Sequence, residues 1–414
     1  MSPSPPPRLA TLVLCDTDGA VIGELPPLAA PASPYWPEVD ELVAAARERW
    51  GLEVVVLRLL MTEAPYAGGE VSYLAQLVAG SPPAALLTRV SSATTAAVDG
   101  DPAHRLGWAE PGGLDDLAAW VDLALLPHGR QRTGQLRQRK TWNLSLVVTA
   151  PTDTAPVWFK AVPPFLADEG GVIARVARVD PGLAPTVLAH DPARRAVLMD
   201  HVAGRDQWGL ADDAVIRAMV DRWVDVQTEL VDDVEHCLAV GAADGRSLAL
   251  VESVRELLWL PEIVEGLTTR DYDAFEDLAD NLARRLEKVE ECGLPDTLVH
   301  GDLHPGNWRG EGGDLRLLDW GDVHVGNPVL DVRAFVERLE GRDLQERTRN
   351  HWVEAWRRAV PGSDPARALA LLEPVAELVA AATYQRFLAH IEQTERVYHQ
   401  HDPPDRIRAA LALG

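Results

Sequence analysis

Between residues 298 and 322 the chain places three oxygen-bearing side chains at spacings that few folds accommodate. Residues 298–308 read Leu-Val-His-Gly-Asp-Leu-His-Pro-Gly-Asn-Trp and residues 315–322 read Leu-Arg-Leu-Leu-Asp-Trp-Gly-Asp, with a glycine-rich turn at 310–314 between them. Apolar arms on either side of such a turn predict a hairpin that returns Asp319 to the side of Asn307. An amide oxygen and a carboxylate suit a hard, oxygen-seeking cation such as Mg2+, where thiolates would not. Asp302 then remains to face a hydroxyl group. A zinc site on His300, Asp302 and His304 is the rival reading, but H-x-D-x-H lacks the H-E-x-x-H spacing and leaves Asn307 and Asp319 without a purpose.

The order Asp302, Asn307, Asp319 is D-x-x-x-x-N followed by D-x-G, the arrangement of a kinase catalytic loop and metal-binding segment. Phosphoryl transfer asks a protein to align the nucleophile and to balance phosphate charge, which these residue types can do. Residues 300–307 carry His-Gly-Asp-x-x-x-x-Asn and residues 326–331 carry Gly-Asn-Pro-Val-Leu-Asp, a G-x-P-x-x-D segment. On these motifs the chain resembles the aminoglycoside phosphotransferase family over about residues 130–414. The resemblance implies an α+β fold: a bilobal protein-kinase-like pair of lobes, one an antiparallel sheet and the other helical. It also implies ATP or GTP as donor with Mg2+, Asp302 as the catalytic residue, and Asn307 and Asp319 as metal ligands. Lys160, in Val-Trp-Phe-Lys-Ala-Val, is expected to contact the nucleotide phosphates and to pair with Glu169, or failing that Asp168. Residues 199–204 are expected as the hinge, with Met199 and Val202 meeting the purine. Residues 140–143 stand where a phosphate-covering loop belongs and contain no glycine. His300 and His304 are read as scaffold.

Ahead of this region, residues 9–14 and 20–25 predict a hairpin turning at 16–19, residues 38–50 a helix stopped by Gly51, and residues 54–60 and 71–79 two strands. Residues 114–126 predict a further helix. These make a small α/β domain over residues 1–128, followed by a kinase-like N-lobe over 129–203 and a helical C-lobe over 204–414. The helix with Arg47, Glu48, Gly51 and Leu52 is loosely similar to the Nudix signature helix, but most of that family's metal-binding carboxylates are missing. The lobe strands are expected at 133–140, 144–150 and 157–162, and a helix at 166–179. The stub 1–8, rich in proline and serine, reads as a disordered leader without the pattern of a secretory signal.

The chain holds 39 basic and 63 acidic residues, a net charge of −24, so a polyanionic partner such as nucleic acid is not expected. No apolar run approaches the roughly 18 residues of a membrane span. Cys15, Cys237 and Cys292 are far apart, which predicts a reducing, cytoplasmic setting without disulfides. The partner expected is a small-molecule hydroxyl acceptor, an aminoglycoside, an amino sugar or a related antibiotic or metabolite; the acidic balance either favours a cationic one or is an ordinary acidic surface that says nothing about ligands. Choline, ethanolamine and homoserine remain open. The acceptor is expected beside Asp302, near residues 336–340 and along Glu373, Glu377, Tyr384, Glu392 and Glu395. The alternative is a kinase-like module that binds a ligand without turning it over, which the retained Lys160, Asp302, Asn307 and Asp319 argue against.

Overall fold

A computed structural model of the chain describes residues 5–62 and 67–414. Two compact units emerge, the first comprising Met1–Pro163, Leu188–His201 and Phe387–Gln400, the second Pro164–Val187, Val202–Arg386 and His401–Gly414.

The first unit holds two five-stranded sheets. In one, Arg8–Cys15 pairs antiparallel with Val21–Glu24, as the hairpin pattern predicts, and also parallel with Gly69–Ala79, which in turn pairs antiparallel with Glu53–Thr62. Both faces of this sheet are covered. Leu12, Leu14, Val56 and Tyr73 pack under the helix Asp40–Trp50, while Val13, Leu57, Leu60 and Leu74 pack toward the helix Ser92–Val98. Two-sided burial explains why residues 9–14 read as a continuous apolar run rather than an alternation. Of the predicted leader, residues 1–4 lie outside the described residues, and Arg8 is not part of a disordered stub. It opens the first strand, buried, and its guanidinium donates to the carbonyls of Tyr35 (2.7 Å) and Glu38 (2.6 Å).

The second sheet runs Arg137–Trp142, Ser145–Ala150, Val157–Ala161, Ala196–Asp200, Val187–Asp191 in spatial order. The helix Gly113–Leu125 buries Leu117, Val121 and Leu125 against it, with Leu146, Val148, Phe159 and Leu198 as partners. The first strand begins four residues later than the pattern predicts and runs through Trp142, because its backbone has partners outside the sheet: Val39 N–H donates to Arg139 and Thr141 N–H to Pro37. The Gln138 side chain adds bonds to both the N–H and the carbonyl of Val56 (2.9 and 2.6 Å).

The stretch Phe387–Gln400 brings two buried acids into this unit. Glu392 accepts from Arg105 at 2.9 Å and lies 3.7 Å from Arg58, itself 3% exposed; Glu395 accepts from the backbone N–H of Asn143 at 2.6 Å. Burial, with Glu392 close by, raises the pKa of Glu395 from 4.5 to about 7, although the bonds from Asn143 pull the other way. A folded pKa above the unfolded one means that the native state holds the extra proton. The stabilisation is therefore complete below about pH 4.5 and is lost as pH rises through about 7, a change on the order of 3 kcal/mol. Glu395→Gln keeps an oxygen for Asn143 and removes the charge. Urea denaturation of the variant and the wild type should agree near pH 4.5, with the variant more stable at pH 8. Parallel pH profiles would show that Glu395 does not titrate in this way.

The second unit is mainly helical, with long helices Asp213–Glu229, Thr269–Glu290, Arg342–Ala359 and Pro365–His390. Two small three-stranded sheets carry the motif segments. No helix among the described residues is long and apolar enough to cross a membrane.

Candidate active site

The predicted hairpin forms in the second unit. Trp308–Glu311 pairs with Asp314–Leu317 in register, Trp308 opposite Leu317, and Leu318 N–H donates to the Asn307 carbonyl at 2.8 Å. Asp319 follows directly, beside Asn307. Its backbone has φ of +67°, a left-handed conformation unusual for a residue with a side chain and one that functional sites often retain. The Asn307 amide nitrogen donates to the Asp302 carbonyl (2.8 Å) and reaches its carboxylate (3.3 Å). That bond fixes the amide's orientation and turns its oxygen away from Asp302. Asn307 and Asp319 thus present an amide and a carboxylate, the donor chemistry that fits a magnesium ion.

Beneath this cluster lies an acid whose motif was visible in the sequence but whose work was not. Asp331, 1% exposed, accepts from the backbone N–H of His300 (3.0 Å) and of Gly301 (3.1 Å), and from the indole of Trp223 (2.8 Å). Gln227 adds a longer bond at 3.3 Å. Burial lifts the pKa of Asp331 to about 6 despite these donors. Gly301 has φ of +83°, and a Cβ there would sit 2.2 Å from the Asp322 carbonyl, so glycine is required for the loop to turn. His300 is fully buried between Trp223 and Trp320, with one ring nitrogen at the Leu318 carbonyl (3.1 Å), and burial holds it neutral with a pKa near 4. It is a strut between the two motif segments. No group of three or more His, Cys, Asp or Glu side chains placed to hold a metal occurs among the described residues.

Asp302 itself is about a third exposed (37%), with His304 at 3.4 Å and Arg338 at 3.7 Å. Burial would raise its pKa, but the bond and charge of His304, with Arg338, outweigh that and Asp319's repulsion and hold it below the usual carboxylate range. Such a group orients a hydroxyl through most of a reaction and takes the proton late.

The remaining predicted residues divide between the units. Lys160 and Met199 belong to the first, Lys160 on the central strand opposite Val147 and Val197, and Met199 opposite Trp158. Val202 and Glu169 belong to the second. The Val202 carbonyl accepts from Arg309 (2.9 Å), and Glu169, buried, opens the helix Glu169–Val179, whose approach is tied by Ala167 N–H to the Gly321 carbonyl (3.0 Å). The loop expected over the phosphates is tighter than its sequence suggests, with Asn143 only 4% exposed and its N–H taken by Glu395. Two acids expected along the acceptor face, Glu392 and Glu395, belong to the first unit and are bound to Arg105, Arg58 and Asn143. Glu377 is 3% exposed and is paired with Arg333 (2.5 Å) and Arg406 (3.2 Å).

Trp208 and Arg338 carry no motif, and sequence reasoning passed over both. The only signal for Trp208 was its place just after the hinge; Arg338 lay inside the 336–340 stretch, unnamed.

A profile of the phosphotransferase enzyme family matches residues 152–371, just over half of the chain. The chain belongs to that family. Lys160, Asp302, Asn307, Asp319 and Asp331 all fall inside the matched span, and the first 151 residues lie outside it. Among solved structures, this family member is similar to a candidate aminoglycoside phosphotransferase from Ralstonia eutropha, at 16% identity over 72% of this chain and 97% of that one, with a TM-score of 0.50. A choline/ethanolamine kinase family protein from Mesorhizobium loti matches at 16% identity over 72% and 99% of the two chains (TM-score 0.46). A macrolide 2'-phosphotransferase type I matches at 14% over 71% and 95% (TM-score 0.48). At these identities the likeness concerns the α+β, kinase-like fold. No curated protein matches the chain.

Proposed function

We propose that the protein transfers the γ-phosphoryl group of ATP or GTP to a hydroxyl of a small molecule, with aminoglycosides, amino sugars and related metabolites as the acceptors that the family resemblance brings forward. The observation that carries this reading is the joint anchoring of Asp302, Asn307 and Asp319. Asp331 holds the turn before Asp302 through two backbone N–H groups, and the Leu318 N–H, one residue before Asp319, is bonded to the Asn307 carbonyl. In this reading Asp302 orients the acceptor hydroxyl and receives its proton, and Asn307 and Asp319 hold magnesium. The ion supplies charge balance for the donor's phosphates. Lys160 and Met199 in the first unit, and Glu169 and Val202 in the second, are the residues proposed to serve the nucleotide.

Calorimetry of nucleotide binding with and without Mg2+ tests the metal role. Asp319→Ala should weaken Mg2+-nucleotide binding at least tenfold and leave metal-free binding close to wild type. Equal metal dependence in the two proteins would remove Asp319 from that role. The buried Asn143 favours a second reading, a module that binds its ligand without turnover, since its N–H is committed to Glu395 instead of open to a phosphate. Single-turnover reactions with labelled nucleotide separate the two: label appears on an acceptor only if the protein is an enzyme.

A further inference from the structure

The acceptor side of the second unit has a defined chemistry around Asp302. Trp208 is the first element of it. Its indole is 52% exposed yet held in place, meeting the His304 ring edge-on with centroids 5.3 Å apart. Gln207 fastens the backbone beneath it, donating from its N–H to the carbonyls of Pro305 (3.2 Å) and Trp308 (3.0 Å). Gly306 is what lets the indole lie so close, since a Cβ at that position would be 2.8 Å from the Trp208 ring. A large aromatic surface fixed beside a candidate catalytic loop and left open to solvent is a platform for a ring or for a cation.

Arg338 decides between those two. Its guanidinium is 3.7 Å from the Asp302 carboxylate, so a positive charge stands near where the reacting hydroxyl must arrive. Three carboxylates of the 337–377 stretch are bound by arginines: Glu377 by Arg333 and Arg406, Glu337 by Arg333 (2.7 Å), Glu373 by Arg349 (3.7 Å). Tyr384 shares these surroundings, with Arg406 5.8 Å from its ring centroid and the charges of Asp402, Arg406, Asp302 and Arg338 acting on its hydroxyl. An ammonium group placed near the reacting hydroxyl would meet the charge of Arg338, and the acids Glu337, Glu373 and Glu377 would have to leave their arginines to receive it. A sugar ring would find an aromatic face for its C–H groups and an N–H donor for its oxygens.

We infer that Trp208 and Arg338 are specificity-determining residues that select a carbohydrate acceptor without ammonium groups, a neutral sugar or a sugar acid, its ring lying on Trp208 and an oxygen substituent facing Arg338. The inference rests on the phosphotransferase reading above and departs from it in one respect, placing non-amino carbohydrates where that reading has aminoglycosides and amino sugars.

The test uses the full chain with Mg2+ and ATP or GTP, with glucose, a neutral disaccharide and glucuronate as acceptors against glucosamine and kanamycin. Phosphorylated product is followed by mass spectrometry, and nucleotide consumption is followed separately. A non-amino acceptor is expected to exceed its amino counterpart at least tenfold in kcat/KM. Arg338→Glu should shift the glucosamine-to-glucose ratio at least tenfold toward glucosamine, a gain that a misfolded protein cannot mimic. Trp208→Ala should raise KM for the preferred sugar about tenfold or more, with Trp208→Phe recovering most of the loss. Preference for the amino acceptors, or a ratio unmoved by Arg338→Glu, overturns the inference. Nucleotide consumed with transfer only to amino acceptors or to water refutes the acceptor class and leaves the phosphotransferase reading standing. No consumption with any acceptor sinks that reading, and the inference with it.

Discussion

Asp302→Asn is expected to lower single-turnover phosphoryl transfer by about 10²–10⁴-fold, the range that a positioned general base contributes. On the barrier that is about 3–5.5 kcal/mol. Most of the local structure survives the change. The bond from the Asn307 amide to the residue-302 carbonyl involves only backbone on the 302 side, and the side chain is about a third exposed, so no buried charge is stranded. What disappears is the negative charge that orients the hydroxyl and accepts its proton. Nucleotide affinity should therefore stay within a few fold of wild type, and thermal melting should move little. The wild-type pH profile is a second check, because the depressed pKa of Asp302 keeps it ionised throughout the neutral range. An acid limb near pH 7 must come from some other group. Wild-type turnover in Asp302→Asn would take the base role away from Asp302.

The hairpin of residues 308–317 was legible because everything that makes it is local: apolar arms, a glycine-rich turn and a two-residue period. The spacing of Asp302, Asn307 and Asp319 on either side of it was legible for the same reason. Where a partner is distant in sequence, the reading fell short. The strand Arg137–Trp142 was placed early because nothing near it announces that Pro37 and Val39 will bond its backbone. The parallel pairing of Arg8–Cys15 with Gly69–Ala79 spans sixty residues, and a hairpin pattern specifies only one edge of a strand. Glu392 and Glu395 are expected with the acceptor-side acids, but they follow the helix that ends at His390 and belong to the first unit, where Arg105, Arg58 and Asn143 receive them. An acid's role depends on what surrounds it, and burial among distant residues leaves no periodic trace.

Asp331 is the strongest instance and leads to the second large effect. Its four donors come from residues 223, 227, 300 and 301, so its removal unties the helix Asp213–Glu229 and the catalytic loop at once. Asp331→Ala leaves the buried N–H groups of Trp223, Gln227 and His300 without this acceptor and releases the N–H of Gly301, immediately before Asp302. Each orphaned group costs about 1–3 kcal/mol, and the expected total is about 3–5 kcal/mol. For units of this size that corresponds to a fall in Tm of about 6–20 °C. Transfer activity should fall further than unfolding explains at temperatures where the variant is still folded, since Gly301 loses the contact that sets the start of the Asp302 turn. Asp331→Asn is the informative companion. Its amide oxygen can replace the carboxylate oxygen that serves Trp223 and His300, but its NH2 then confronts the N–H of Gly301, which donates to the other oxygen. The asparagine variant should therefore melt between alanine and wild type while its turnover stays closer to that of the alanine variant. A melting curve for Asp331→Ala that coincides with wild type would show that the catalytic loop is held from elsewhere.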